Sequence, residues 1–200
     1  MESYLYDEFP DNVCTVHIAL FVDVANAAPL RARLVRASTL EGVEGDAERE
    51  AVNFAFIDAK LVTSRLHVQT ALYQSIIAFT QSALKTKTVH SEVLWSLNPT
   101  NNITEALRRF GISDSSTAIV VARVGPQSDR SVIEEQMREV IQGRLVPLDL
   151  HNLTDWSAIK KYYKLNTDPV IVAQGQNLNR QRTTIDELVT SFVAMKSVMS

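Results

Sequence analysis

Residues 13–22 (VCTVHIALFV) and 117–124 (TAIVVARV) are rich in β-branched and apolar side chains and lie in opposite halves of the chain. Runs of this composition and length read as strands, the first of them central in its sheet. Buried strands need other elements packed on them, and helical patterns fill the sequence between and after these two runs. The alternation points to one layered domain of sheet and helices over residues 1–200, with no internal repeat and no strong boundary. A chain of this length can bury roughly 70% of its unfolded surface without a metal or disulfide staple.

The remaining elements follow from local signals. Pro29 fits the first turn of a helix with Leu30, Leu34 and Val35 on its apolar edge. The segment at about 39–50 carries Glu41, Glu44, Asp46, Glu48 and Glu50 against one Arg49 and reads as a solvated acidic loop. Residues 53–62 (NFAFIDAKLV) read as a short strand and a turn. With Ser64 as N-cap, a long helix is expected to about Leu84, striped by Val68, Leu72, Ile76, Phe79 and Ala83. Residues 92–97 (EVLWSL) read as a strand ending at Asn98-Pro99. Asn102 and Glu105 resemble a capping box, and Gly111 is expected to close that short helix in the left-handed conformation. Ser131 and Glu134 repeat the box, with Gly143 as the stop. Residues 145–148 read as an edge strand because of Pro147, and 155–165 as a helix. Thr184 and Glu187 open a terminal amphipathic helix at about 184–199, with Ile185, Leu188, Val189, Phe192 and Val193 on one stripe and Val198 and Met199 extending it.

Much chemistry has no signature here. Six scattered glycines form neither a dinucleotide nor a P-loop fingerprint. His17, His67, His90 and His151 share no metal-ligand spacing, and His17 reads as a structural residue of its strand. The single Cys14 excludes a disulfide framework and a multi-cysteine zinc site, and fits a reducing compartment. The acidic start, Met1 to Glu8, lacks the basic region of a secretory signal. No apolar run approaches the ~20 residues of a membrane span. A formal net charge of -3 excludes a wholesale nucleic-acid coat but allows a local basic patch. No catalytic residue, metal or cofactor is therefore expected.

Two features stand above this background. Between Ala59 and Ser91 there is no acidic residue, while Lys60, Arg65, Lys85 and Lys87 are present. They read either as ordinary solvated charge or as an anion-binding rim beside the polar loop 98–102, which runs into a helix N-terminus. The terminal helix reads either as part of the domain's own core or as a partner-docking element.

Residues 54–72 (FAFIDAKLVTSRLHVQTAL) and 92–116 (EVLWSLNPTNNITEALRRFGISDSS), followed by the strand at 117–124, resemble the PRPK-binding protein (CGI-type) family, the kinase-binding subunit of the KEOPS/EKC complex. The order that carries the resemblance is Ile57-Asp58, Leu61-Val62, a long helix, Asn102-Ile103-Thr104-Glu105-Ala106-Leu107 and Phe110-Gly111-Ile112. It covers about residues 13–199 and is strongest between 54 and 124; the acidic segment looks like an insertion relative to compact members. The resemblance implies an α+β domain with a central, mostly antiparallel sheet surrounded by helices, where the alternation alone also allows a parallel sheet. It implies a non-catalytic subunit, without cofactor, that binds and regulates a small atypical kinase/ATPase and meets the other subunits indirectly. It further implies help in binding the 3′ CCA end of tRNA for threonylcarbamoyladenosine modification, a part in telomere maintenance, and residence in nucleus and cytoplasm with no membrane. On this reading Leu188, Val189, Phe192 and Val193 dock the kinase, while Lys60, Arg65, Lys85, Lys87, Asn101 and Asn102 contact tRNA. The alternatives are a small enzyme with a pocket near the Asn98–Asn102 loop and Asp58 or Asp114 as general base, or a pure scaffold without RNA contact.

Overall fold

The computed structural model describes residues 1–199, with Met199 as backbone alone, so the last member of the terminal stripe lies outside the described side chains. Five strands form one sheet: β1 (Glu2–Leu5), β2 (Thr15–Val22), β3 (Ala55–Asp58), β4 (Ala118–Gly125) and β5 (Arg144–Val146). Their order is β1-β2-β4-β3, and β5 pairs with the second half of β2. Every neighbouring pair is antiparallel, with Thr15 opposite Gly125 and Val22 opposite Ala118. The open choice between parallel and antiparallel thus resolves to an α+β domain around an antiparallel sheet.

β2 is central because both its faces are buried, and period-two alternation sorts its side chains between two cores. Val16, Ile18 and Leu20 join Ile57, Val120 and Ala122 on one face. Ala19 and Phe21 join Phe56, Ile119 and Val121 on the other. The second face is covered by α1 (Ala27–Thr39) through Leu30 and by α6 (Arg130–Val140) through Ile133 and Met137. The first is covered by α3 (Arg65–Thr80), α4 (Val89–Leu97) and α9 (Leu178–Met199), with α5 (Ile103–Phe110) contributing Phe110.

Several local expectations need correction. Residues 92–97 are not a strand but the body of α4, which Thr88 and Ser91 cap reciprocally, each side chain accepting from the other's backbone N–H at 3.1 and 3.2 Å. Every α4 residue except Ser91 is buried, so the apolar run carries no period that separates helix from strand. The acidic segment is not a loop either: Gly42–Ala51 form helix α2. The arginines of α1 hold it, Arg33 through two bonds to Glu48 (2.6 and 3.0 Å) and Arg36 through Glu44 (3.5 Å). Arg49 ties it back to the carbonyl of Leu40 (2.6 Å), and a Cβ at Gly45 would stand 2.3 Å from that same oxygen.

Helix α3 starts at the expected cap, Ser64 accepting from His67 N–H at 3.0 Å, but stops at Thr80, leaving Ala83 outside and exposed. In α1, Leu30 is buried while Val35 is 60% exposed; Ala27 and Ala37 complete its inner face. Gly111 is not left-handed, with φ at -72°. Its requirement is close approach, since a Cβ would meet the Leu107 carbonyl oxygen at 2.4 Å. Asp129, not Ser131, caps α6, which ends at Val140 before Gly143. The terminal helix begins at Leu178, six residues ahead of the Thr184 box. Asn102 does cap α5, while the helix expected over 155–165 is the shorter α7 (Trp156–Tyr162), capped by Asp155 and followed by α8 (Pro169–Val172).

Candidate functional site

Helix α9 lies along α3. Asp186 of α9 accepts from Thr63 Oγ1, just ahead of α3, at 2.6 Å. Ile185, Val189 and Val193, spaced by one turn, are buried in the same core as Val68, Leu72 and Ile76 of α3. Val189 and Val193 are therefore not available as docking anchors, because the stripe that contains them is the domain's own wall. Leu188 is half-buried against that core. Phe192 is 38% exposed and leans on Tyr163, ring centroids 5.9 Å apart. Met195 and Val198 are more exposed still, at 52% and 80%. At three-residue spacing these three form one ridge along the outer side of the helix.

Beside this ridge, between α9 and the loop joining α4 to α5, is a cleft of about 240 Å³ lined by Asn98, Thr100, Asn101, Tyr163, Phe192 and Lys196, among others. Lys196 is 8% exposed. Its ammonium donates to the carbonyls of Trp95 (2.5 Å), Asn98 and Thr100 (2.9 Å) and sits 4.0 Å from the centre of the Trp95 ring. These are carbonyls at and beyond the end of α4, where intrahelical donors run out. Burial pushes the ammonium down to about 8, with Glu92 pulling the other way, so it stays charged at neutral pH. Tyr163 donates to the carbonyl of Leu97, and burial raises its phenol. The loop is itself bonded: Asn98 Nδ2 donates to Thr100 O (3.0 Å) and Asn102 O (3.3 Å), and the Thr100 hydroxyl donates to Glu105 (2.5 Å).

The sequence reading missed Lys196. Its signal was there: eleven residues after Ile185, position 196 returns to the buried side of the helix after three turns, and a lysine there needs partners.

The basic residues do not form one rim. Lys60 and Arg65 stand at the start of α3 and Lys85 and Lys87 beyond its end, and sixteen helical residues span about 24 Å. Arg65 is paired with Glu2 at 2.7 Å. Lys85 and Lys87 lie on a loop whose backbone wraps Glu92, at the opposite end of α4 from Asn98–Asn102. Asn102 is occupied as the α5 cap, accepting from Glu105 N–H at 2.9 Å, whereas Asn101 faces the cleft. The carboxylates considered as general bases are elsewhere: Asp58 accepts from Ser116 Oγ (2.6 Å) and Lys60 N–H (3.0 Å), and Asp114 pairs with Arg31 at 3.1 Å. His17 is buried and bonds Ser3 through Nδ1 at 2.8 Å.

An α+β domain with an exposed apolar ridge beside a small polar cleft presents a surface suited to meeting other molecules. Residues 21–197 match the family described as kinase binding protein CGI-121, and the chain belongs to that family. It is 33% identical, over a 234-residue alignment covering all of both chains, to the EKC/KEOPS complex subunit CGI121 of Cryptococcus neoformans var. neoformans serotype D. The subunits of the same name from Aspergillus fumigatus (38% over 157 residues, 76% of this chain and 77% of that one) and Neurospora crassa (32% over 203 residues, 92% of each) are also similar.

Proposed function

We propose that this chain is a non-catalytic subunit of a KEOPS/EKC complex and that helix α9 docks the complex's small atypical kinase/ATPase. The names of its relatives and the description of its family support that reading. The observation that carries it is the division of α9 into a buried side, Ile185, Val189 and Val193, and an exposed ridge, Phe192, Met195 and Val198. The first holds the helix rigid; the second offers apolar area, each large side chain worth roughly 1.5–3 kcal/mol when covered. A rigid, half-open aromatic makes Phe192 the expected hot spot. Phe192→Ala should weaken binding of the purified kinase by about 30-fold in calorimetry, the size of a 2 kcal/mol hot spot. The thermal midpoint of the free subunit should hardly move. A large fall in the midpoint with unchanged kinase affinity would return Phe192 to the core and remove the proposal's anchor.

The finer reading is that the subunit helps bind the 3′ CCA end of tRNA for threonylcarbamoyladenosine modification, in nucleus and cytoplasm, with a part in telomere maintenance. Unpaired bases are hydrogen-bonded by polar loops, and Asn101 and Thr100 line the cleft beside the docking ridge. Lys85 and Lys87 test how far the RNA extends. If each meets a phosphate, replacing both with Ala should flatten the slope of log affinity against log salt by about 1.4, at ~0.7 per contact. An unchanged slope confines the RNA to the other end of α4.

A further inference from the structure

We infer that Lys196 and Tyr163 couple the docking ridge of α9 to the polar loop 98–102, so that a kinase bound on the ridge sets the conformation of that loop. The inference rests on the kinase-docking reading above and adds to it a mode of regulation.

The end of a helix exposes carbonyls that are usually met by the following few residues or by water. Here the carbonyls of Trp95, Asn98 and Thr100 are met by an ammonium from a helix about a hundred residues further along the chain, and that of Leu97 by Tyr163. The segment also bonds itself, Asn98 N–H to Trp95 O (3.1 Å) and Asn98 Nδ2 to Thr100 O (3.0 Å), so the last turn of α4 and the loop after it take their position from α9 together with these local bonds. A buried ammonium is an expensive cap, and an apolar side chain at 196 would continue the stripe at lower cost. What the cation adds is a rigid connection between the helix and three carbonyls spread over six residues.

The connection begins at the ridge. Phe192 is one turn before Lys196 on α9, its ring rests on Tyr163, and Tyr163 holds Leu97. Fixing the Phe192 ring under a partner therefore acts directly on Tyr163, and on Lys196 through the helix turn they share. Beyond the carbonyls, Asn98 bonds Thr100 and Asn102, and Thr100 bonds Glu105, so the loop responds as a unit up to the cap of α5. A contact at the ridge and a contact at the loop act through one set of hydrogen bonds, and coupling of this kind is reciprocal.

Hydrogen exchange of the Asn98, Thr100, Asn101 and Asn102 amides, in full-length protein with and without saturating purified kinase subunit, tests this. In the wild type, kinase should slow those amides by at least about fivefold. In Lys196→Met the kinase-dependent factor should fall below about twofold at the same saturation, and in Tyr163→Phe it should fall part of the way. Amides of β2 and β4 report whether each variant keeps its fold. If Lys196→Met does not fold, Tyr163→Phe, which keeps the ring and loses the bond to Leu97 and a longer one with His67 Nε2 (3.5 Å), carries the comparison. Loop amides indifferent to kinase in the wild type would overturn the inference. So would a variant in which exchange is faster throughout but the kinase-dependent factor is unchanged, because Lys196 would then be a local cap alone. Absence of kinase binding in calorimetry would instead overturn the docking reading itself.

Discussion

Acidification to about pH 4 is expected to remove a large part of the protein's stability, and His67 and His90 should account for most of the loss above the carboxylate range. Both rings are buried, and burial lowers each from 6.5 to about 3, with Arg123 adding repulsion at His90. Each also needs a lone pair: His90 Nε2 accepts from Val124 N–H at 2.9 Å, and His67 Nδ1 from Thr63 N–H at 3.2 Å. Protonation would remove those acceptors and place a cation in an apolar core. Since the folded values lie below the unfolded ones, the unfolded chain binds more protons between pH 6.5 and 3, and stability falls as pH falls through that window. At pH 4 the deficit is roughly 3 kcal/mol per histidine, so about 6 for the two, against a total stability of about 5–15 for a domain. His17 is lowered too, by burial and then by Arg130 and Arg123, and acts in the same direction. Urea titrations at a series of pH values should show this slope down to about pH 4.5, before most carboxylates titrate. His90→Gln keeps an acceptor for Val124 and removes the titration, so it should flatten the slope. An unchanged slope in that variant would mean that His90 is not the group being protonated.

The strands that build the core could be read from the sequence because their burial is two-sided and their composition β-branched: β2 and β4 lie within a residue or two of where 13–22 and 117–124 place them. Caps were equally legible where a side chain bonds locally, as at Ser64 and Asn102. Helix α4 was not, because nine residues buried nearly all round show no period. Helix α2 was not, because its stabilisation comes from arginines on the preceding helix, and a run of acids looks solvated until its partners are placed.

The candidate site divides along the same line. Phe192 was legible as a large apolar residue on an amphipathic helix, but the stripe could not separate it from Val189 and Val193. One periodicity describes both a helix packed on its own domain and a helix awaiting a partner. Only the presence of α3 beneath α9 distinguishes them. The basic residues fall into two groups rather than one rim, because they flank both ends of a straight helix about 24 Å long.

Replacing Glu92 is the second change expected to have a large effect. Its carboxylate is wholly buried at the first turn of α4 and accepts from Lys85 N–H (3.0 Å), Thr86 N–H (2.8 Å) and Thr86 Oγ1 (2.7 Å). Hydrogen bonds to a charged acceptor are worth about 1.5–3 kcal/mol each, and these three give the 81–88 connection its shape. Glu92 is also the anion that opposes the depression of Lys196, the other buried charge against α4. Glu92→Ala removes the acceptors and leaves Lys196 without that support, so a loss of about 3–5 kcal/mol is expected. Glu92→Gln keeps the shape but turns an NH₂ group toward N–H donors, and should cost most of the same. Urea unfolding gives the magnitude, and exchange of the Lys85 and Thr86 amides should accelerate ahead of global unfolding. Lys196 should also titrate lower in Glu92→Gln, readable from its side-chain resonances. If Glu92→Gln loses less than about 1 kcal/mol and the two amides keep their protection, the carboxylate's charge is not what organises this end of the helix.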